Sequence, residues 1–348
     1  MKLGKSLVEL AQELERRAGA KSDFIVDTKS GLLMQPDMAL AVSGVGALST
    51  DGLAHRQISE WAGIPAKYYD RMKAEAPALL VNNVNHWFAE QPARRMVRTL
   101  DNRARAFLSD RYRRIDNEEI AEAVLPVLLG AGSDIRIESC EVTDSRLYLK
   151  AVFPKIEGEV KVGDPVQSGI VISNSEAGLG SLSVQPLVFR LVCKNGMIAN
   201  DSGMSRYHVG RKVGDGRDVE ALLRDETKMA DDRALMMALQ DVVRASLDNV
   251  QFTRLLDKMR VAAGGDTVQR PVEAVETLAK SFVFAQSERQ SILENLIRDG
   301  DYSRWGMLNA VTKTANLVSD YDRATELEAV GGRILDLAAN DWSVIAAA

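Results

Sequence analysis

Eight arginines crowd into residues 94–114, RRMVRTLDNRARAFLSDRYRR, against two acidic residues, Asp101 and Asp110, for a net charge of +6. Guanidinium groups bind carboxylates and phosphates in bidentate fashion, so the chemistry on offer is anion binding. Residues 94–100 and 103–109 read as two strands joined by Asp101-Asn102, a competent two-residue turn. Alternate side chains share a face. Pairing across the turn sets Leu100 opposite Arg103 and Arg98 opposite Arg105, so Arg98, Arg103 and Arg105 are expected to converge on one side. Like charges that close need a neutralising anion, either phosphate or the protein's own carboxylates. Tyr112, between Arg111 and Arg113, adds a ring that can stack a base while the charges follow a strand's backbone. The candidate nucleic-acid-binding set is therefore Arg94, Arg95, Arg98, Arg103, Arg105, Arg111, Tyr112, Arg113 and Arg114. Arg206, Arg211 and Lys212, with Tyr207 and His208, form a second cluster in a glycine-rich loop. The competing reading lays these cations over a half-exposed sheet, paired with acidic helices at the rear, and makes the second cluster a solvated linker.

Other chemistry is thinly supplied. Asp110, Asp116, Glu118 and Glu119 could hold Mg²⁺, but Asp116 and Glu119 have capping-box spacing before a helix at 117–130. The loop Asn174-Ser175-Glu176-Ala177-Gly178-Leu179-Gly180 lies between two strands, not before a helix, and matches no phosphate-binding glycine motif. His55, His86 and His208 have no partner in sequence, and no G-x-S-x-G elbow occurs. Cys140 and Cys193 sit far apart in apolar runs, which points to reduced, buried thiols and to no zinc spacing. No catalytic residue, metal site or cofactor is assigned.

The elements that must position these residues follow from periodicity. Leu3, Leu7, Leu10, Ala11 and Leu14 mark an amphipathic helix over 3–18, followed by short strands within 23–43. Helices are expected at 54–63, from Pro65 through Tyr68, Tyr69 and Met72, and at 77–89. After the arginine hairpin comes the 117–130 helix, with Pro126 inside it. Residues 134–193 are strand-rich, with one hairpin turning at Thr143-Asp144-Ser145 and a second flanking the 174–180 loop. Lys194-Asn195-Gly196 reads as a tight turn with glycine at positive φ, and 196–216 as loop. From Val219 onward the pattern is helical, broken between Gly264 and Pro271. Strands followed by helices make the fold class α+β: an antiparallel, strand-rich core with N-terminal helices and a C-terminal helical region.

The chain has 348 residues and a net charge of −5, distributed unevenly. Residues 217–348 carry 16 Lys and Arg against 22 Asp and Glu, a net of −6, and the rest carries 28 against 27, a net of +1. We divide it into a mixed core, 1–216, and an acidic helical region, 217–348, packing on that core or between subunits. A composition of 46% hydrophobic and 27% charged residues argues against disorder and membrane insertion. Glu9, Glu13 and Glu15 interrupt the first apolar pattern, unlike a signal peptide, so a cytoplasmic location is expected.

The runs RAFLSDRYRRIDNEEIAEAVLPVL, NSEAGLGSLSVQPLVFRLVCKNGM and HVGRKVG, with Gln57 and Gly63-Ile64-Pro65-Ala66-Lys67-Tyr68-Tyr69 upstream, resemble the phage- and plasmid-associated family known as domain of unknown function 932. The resemblance spans roughly residues 50–260 and implies a mobile genetic element and a setting among replication and recombination genes. It supplies no catalytic residues, and a relation to single-strand annealing proteins would imply a ring-like homo-oligomer. The expected function is non-enzymatic binding of single-stranded DNA, promoting annealing. The alternatives are a Mg²⁺-dependent nuclease or nucleotide-processing enzyme using Asp110, Asp116 or Glu176, and a protein that engages a host defence factor.

Overall fold

The computed structural model describes residues 1–130, 135–180, 182–199, 206–207 and 225–347. Ser6 and Glu9 close a reciprocal capping box that starts α1 (Leu7–Ala20), four residues later than the periodicity suggests. The chain then builds β1 (Lys21–Asp27), a single turn α2 (Thr28–Gly31), β2 (Leu32–Met34), β3 (Leu40–Val42) and β4 (Gly46–Thr50). Three helices follow, α3 (Gly52–Trp61), α4 (Ala66–Glu75) and α5 (Pro77–Glu90), then the hairpin β5 (Arg94–Leu100) and β6 (Arg103–Ser109). These strands form one sheet in the order β1-β5-β6-β4-β3-β2, antiparallel except for the β4–β6 pair. One face carries Val97, Ala104 and Phe107 and packs on Ile58, Tyr69, Met72, Leu80, Val84 and Phe88 of the three helices.

α6 (Asn117–Gly130) leads into a second antiparallel sheet of β7 (Arg136–Val142), β8 (Leu147–Glu159), β9 (Pro165–Asn174), β10 (Leu182–Arg190) and β11 (Asn195–Ile198). Its order is β11-β10-β9-β8-β7, and the short β12 (Arg206–Tyr207) also pairs with β10. The helical region supplies α7 (Asp225–Ala245), α8 (Asn249–Gly264), α9 (Pro271–Phe282), α10 (Gln286–Asp299), α11 (Arg304–Thr314), α12 (Tyr321–Leu335) and α13 (Ala339–Ala347). The described residues of 1–216 hold two sheets. On one face of the second sheet, Leu149, Ala151, Ile170 and Ile172 meet Leu10, Ile120, Val124 and, from α7, Leu239 and Val243. Elsewhere Val166, Val188 and Met197 join Phe252, Met259, Trp305, Leu308, Leu327 and Val330 of the later helices. Val152 and Val171, one residue out of step with Ala151 and Ile170, lie in a third cluster with Met1, Leu187, Phe189 and Ile198 on the opposite face. Lys150 is the polar exception: it is wholly buried and donates to Glu328 at 2.7 Å and Thr325 at 2.9 Å on α12.

Three expectations change. The strand β11 occupies the start of the segment read as loop. Lys194, not glycine, takes the positive φ before it (49°). Gly196 instead lies in β11, where a Cβ would approach Leu187 Cδ1 at 3.0 Å, so its role is close packing. Among the described residues no helix is long and apolar enough to cross a membrane.

Candidate functional site

The hairpin forms with the predicted boundaries. Asp101 and Asn102 both take positive φ, 53° and 59°, the geometry of the turn that matches strand twist. Leu100 pairs with Arg103 as expected. The register then slips: Thr99 pairs with Ala104 but Arg98 pairs with Ala106, leaving Arg105 as the bulged residue. A bulge flips the alternation behind it. Ala104 and Phe107, three apart, therefore reach the same helical core, while Ala106 and Leu108 face Met96, Ala177, Leu53 and Tyr112 on the other side. The expected cross-strand pairing of Arg98 with Arg105 does not occur, because the buried apolar residues set the register.

Each arginine has a distinct fate. Arg98 is 0% exposed. Its Nε donates to Asp23 at 2.8 Å, Nη1 to the Glu176 carbonyl at 2.9 Å and Nη2 to Asp116 at 2.7 Å. Burial would depress its pKa, but the carboxylates of Asp116 and Asp23 outweigh burial and hold it above the usual arginine value. Asp116 mirrors this: burial raises its pKa, and Arg98 with Lys21 pulls it below the carboxylate norm. Lys21 also pairs with Glu118, and with Asp116 at 2.7 Å. Arg105 is buried with Nη2 2.8 Å from Glu176 Oε2, although no N–H there is aligned for a hydrogen bond and its Nε has no partner. Glu176 itself accepts from the Asn117 backbone N–H at 2.7 Å. Arg98 and Arg105 are thus neutralised by the protein's own carboxylates, and the convergent three-arginine face does not exist as an open surface.

The rest of the set ranges from half-buried to exposed positions. Arg113 bridges to Asp231 and Asp232 of α7, the pairing with acidic helices that the competing reading describes. Tyr112 is half-buried, and its hydroxyl donates to the Ser175 carbonyl at 2.8 Å, so the ring clasps the protein. Arg95 lies over the Phe107 ring at 4.8 Å. Arg94 and Arg111 are exposed at the open end of the hairpin. Arg103, half-exposed, pairs with Asp51 at 3.2 Å, and the exposed Arg114 reaches Asp23 at 3.4 Å.

The 174–180 loop is the element that sequence reasoning undervalued. Gln57 on α3 donates to the Ala177 carbonyl at 2.8 Å and accepts from the Phe107 N–H at 2.7 Å. Asn174 donates to the Ile115 carbonyl and to Asn117. The loop therefore clasps the hairpin of the first sheet to the start of α6, with Glu176 as its central charge. Asp116 likewise departs from expectation: Glu119 reaches back to its N–H at 3.2 Å, but its own carboxylate serves Arg98 and Lys21. The network's other charges, the anions Asp23 and Glu176 and the cation Lys21 that shares Asp116, carried no local signal, since each lies 75 or more residues from Arg98.

Of the second basic cluster, Arg206 lies in β12, opposite Ser183, three residues beyond Gly180. Arg211, Lys212 and His208 lie outside the described residues. The β12 pairing brings that segment's backbone to the end of the second sheet where the 174–180 loop clasps the hairpin. Among the described residues no group of three or more His, Cys, Asp or Glu is arranged to hold a metal ion. Burial pushes the Cys140 thiol up to about 11, away from nucleophilic use.

The family model described as "Domain of unknown function (DUF932)" matches residues 105–328. The chain belongs to that family. The matched region begins at the bulged Arg105 and runs into α12, so it takes in helices beyond the 50–260 span of the sequence resemblance. It contains Asp116 and Glu176 of the buried network, whereas Lys21, Asp23 and Arg98 precede it. No curated protein and no solved structure matches the chain.

Proposed function

We propose that the protein binds single-stranded DNA without catalysing its chemistry, and that it acts on a mobile genetic element as a homo-oligomer promoting strand annealing. One observation supports this most: Arg98, Arg105 and Arg113 are held by the protein's own carboxylates, whereas Arg94, Arg111 and Arg114 are exposed and Arg103 half-exposed at the hairpin's ends and flank, and β12 sets the Arg206 backbone opposite Ser183 at the same end of the second sheet. A pre-organised frame with charged side chains at its margin suits a flexible polyanion. Annealing requires a strand held extended over a length greater than one hairpin, which is why an assembly belongs to the proposal. The enzymatic alternative finds less support, because Asp116 is held by Arg98 and Lys21, and Glu176 by Asn117 and Arg105.

The test is fluorescence anisotropy with a labelled 40-nucleotide oligonucleotide across a salt series. Tight binding at low salt that weakens steeply supports the reading. No binding at low salt refutes it. Mass photometry on the same samples reports whether DNA changes the assembly state.

A further inference from the structure

Most sheet edges of the molecule are closed. At β2, Asn85 on α5 accepts from the Met34 N–H at 2.7 Å and donates to the Met34 carbonyl at 2.8 Å. At β7, the Lys5 N–H donates to the Cys140 carbonyl at 2.7 Å, so the segment before α1 lies along that strand. At the other end of the second sheet, β11 is pressed against α12, where a Cβ on Gly332 would collide with the Ile198 carbonyl oxygen, and β12 is two residues long. The remaining edge is β1, seven residues in unbroken register with β5 and without proline. Among the described residues no strand pairs with its outer side.

The backbone groups on that side are open. The Ala20 carbonyl accepts from the Asp101 N–H at 3.3 Å, and the Thr28 N–H donates to the Ala93 carbonyl at 3.0 Å. Even-numbered residues therefore turn toward β5, and Asp23 and Ile25 turn their N–H and C=O groups outward. Such a row is a template for another strand, and proteins blunt it with lysine, proline or a bulge. Here the one lysine, Lys21, is folded onto Asp116 and Glu118, and Ile25 projects, 45% exposed. The flanking helices do not screen the edge, since α1 packs on β7 and α6, and α2 on α5 and β2.

We propose that β1 is an interface between two copies of this chain, paired antiparallel about a two-fold axis at Phe24. The charge pattern selects both the occupant and the register. A two-fold axis keeps residues of like parity opposite each other. Centred on Ile25, the pairing sets Asp23 against the partner's Asp27, and centred on Asp23 it sets the two Asp23 carboxylates together. Like charges directly opposite repel. Centred on Phe24, Lys21 faces the partner's Asp27 and Asp23 faces the partner's Ile25, with no like pair. The outward groups of Asp23 and Ile25 are then satisfied on both strands. The contact is isologous and closes as a dimer. One seven-residue strand pair is a small interface, which places the association in roughly the micromolar range. The proposal deepens the homo-oligomer of the reading above and rests on that part of it, not on DNA.

The experiment is sedimentation of the full-length chain without DNA, from about 1 to about 200 µM. A monomer–dimer equilibrium is expected. Ile25→Glu, which sets a carboxylate against the partner's Asp23, should weaken the dimer about tenfold or more. Ile25→Pro, which removes an outward N–H and leaves the β5 ladder intact, should do the same. The melting temperature of Ile25→Glu should stay within ~2 °C of wild type, because the side chain is substantially exposed. Mild oxidation should cross-link Ser22→Cys/Val26→Cys into dimers, because these positions face each other in the Phe24 register, and should leave Ser22→Cys alone monomeric. A wild-type monomer across the whole range overturns the proposal, as does a dimer unchanged in both Ile25 variants. Assembly beyond two copies without DNA, or cross-linking of Ser22→Cys alone, also overturns it. A dimer that forms while single strands fail to bind leaves this interface standing and refutes the DNA reading, so the two fail separately.

Discussion

Replacing Arg98 by methionine is the sharpest perturbation of the buried network. Methionine roughly preserves the stem's volume and removes the charge, so the effect reports electrostatics more than cavity formation. Breaking a buried ion pair by deleting one partner costs about 3–5 kcal/mol. Two features moderate the loss here: Asp116 keeps Lys21 at 2.7 Å, and Asp23 keeps the exposed Arg114 at 3.4 Å. One feature adds to it: the Glu176 carbonyl loses its Arg98 donor, and an orphaned buried acceptor costs about 1–3 kcal/mol. The expected destabilisation is therefore about 3–5 kcal/mol, or a fall in melting temperature of roughly 6–20 °C at ~2–4 °C per kcal/mol. Circular dichroism melts measure it directly, and anisotropy well below the transition should show single-strand affinity within about twofold of wild type. A melting shift below ~2 °C would refute the argument that Arg98 is a structural cation. Lost DNA binding in a protein that melts like wild type would refute it more completely, since it would return Arg98 to the phosphate face.

Three further outcomes follow from the same structure. Lys150→Met alone should cost about 3–5 kcal/mol, because it strands Glu328 where both side chains are wholly buried, while Lys150→Met/Glu328→Leu should recover most of that loss in urea titrations; additive losses would show that the pair's charge is not what matters. His55 is held at about 4 by burial, below its usual 6.5. The unfolded chain therefore takes up a proton that the folded chain refuses. Stability should fall as pH drops from about 6.5 to about 4, by up to ~3 kcal/mol, and His55→Gln should flatten that part of the curve; an unchanged pH profile would contradict it. With Arg94, Arg103, Arg111 and Arg114 engaged, the slope of log affinity for single strands against log salt should approach about −3, and a slope near zero would exclude phosphate contacts there.

The hairpin's extent was legible because strand alternation and the Asp101-Asn102 turn are local signals. Its register was not, because the bulge at Arg105 is set by which apolar residues, Ala104 and Phe107 on one side and Ala106 and Leu108 on the other, find their cores. A one-residue slip moves every side chain behind it to the other face, yet Arg98 and Arg105 both still reach Glu176, so it is the 174–180 loop lying over that face that buries two of the three arginines and leaves Arg103 at the rim. The charge excess was legible as anion chemistry, but the identity of the anion depended on Asp23 and Glu176, which only the tertiary fold brings to Arg98 and Arg105. Helix positions followed periodicity closely, and the short β11 was missed because its four residues lie in a glycine-bearing stretch. The glycine loop at 174–180 carried no motif, so nothing local marked it as the clasp between the hairpin and α6.

The central claim is that the hairpin has a buried structural half and an exposed half that meets DNA. The most direct measurement compares wild type with Arg94→Glu/Arg111→Glu/Arg114→Glu, reading single-strand affinity at low salt and melting temperature on the same preparations. The account predicts a loss of affinity of at least tenfold with a melting temperature within ~2 °C, because these three side chains are exposed. Undiminished affinity in the triple variant would contradict it.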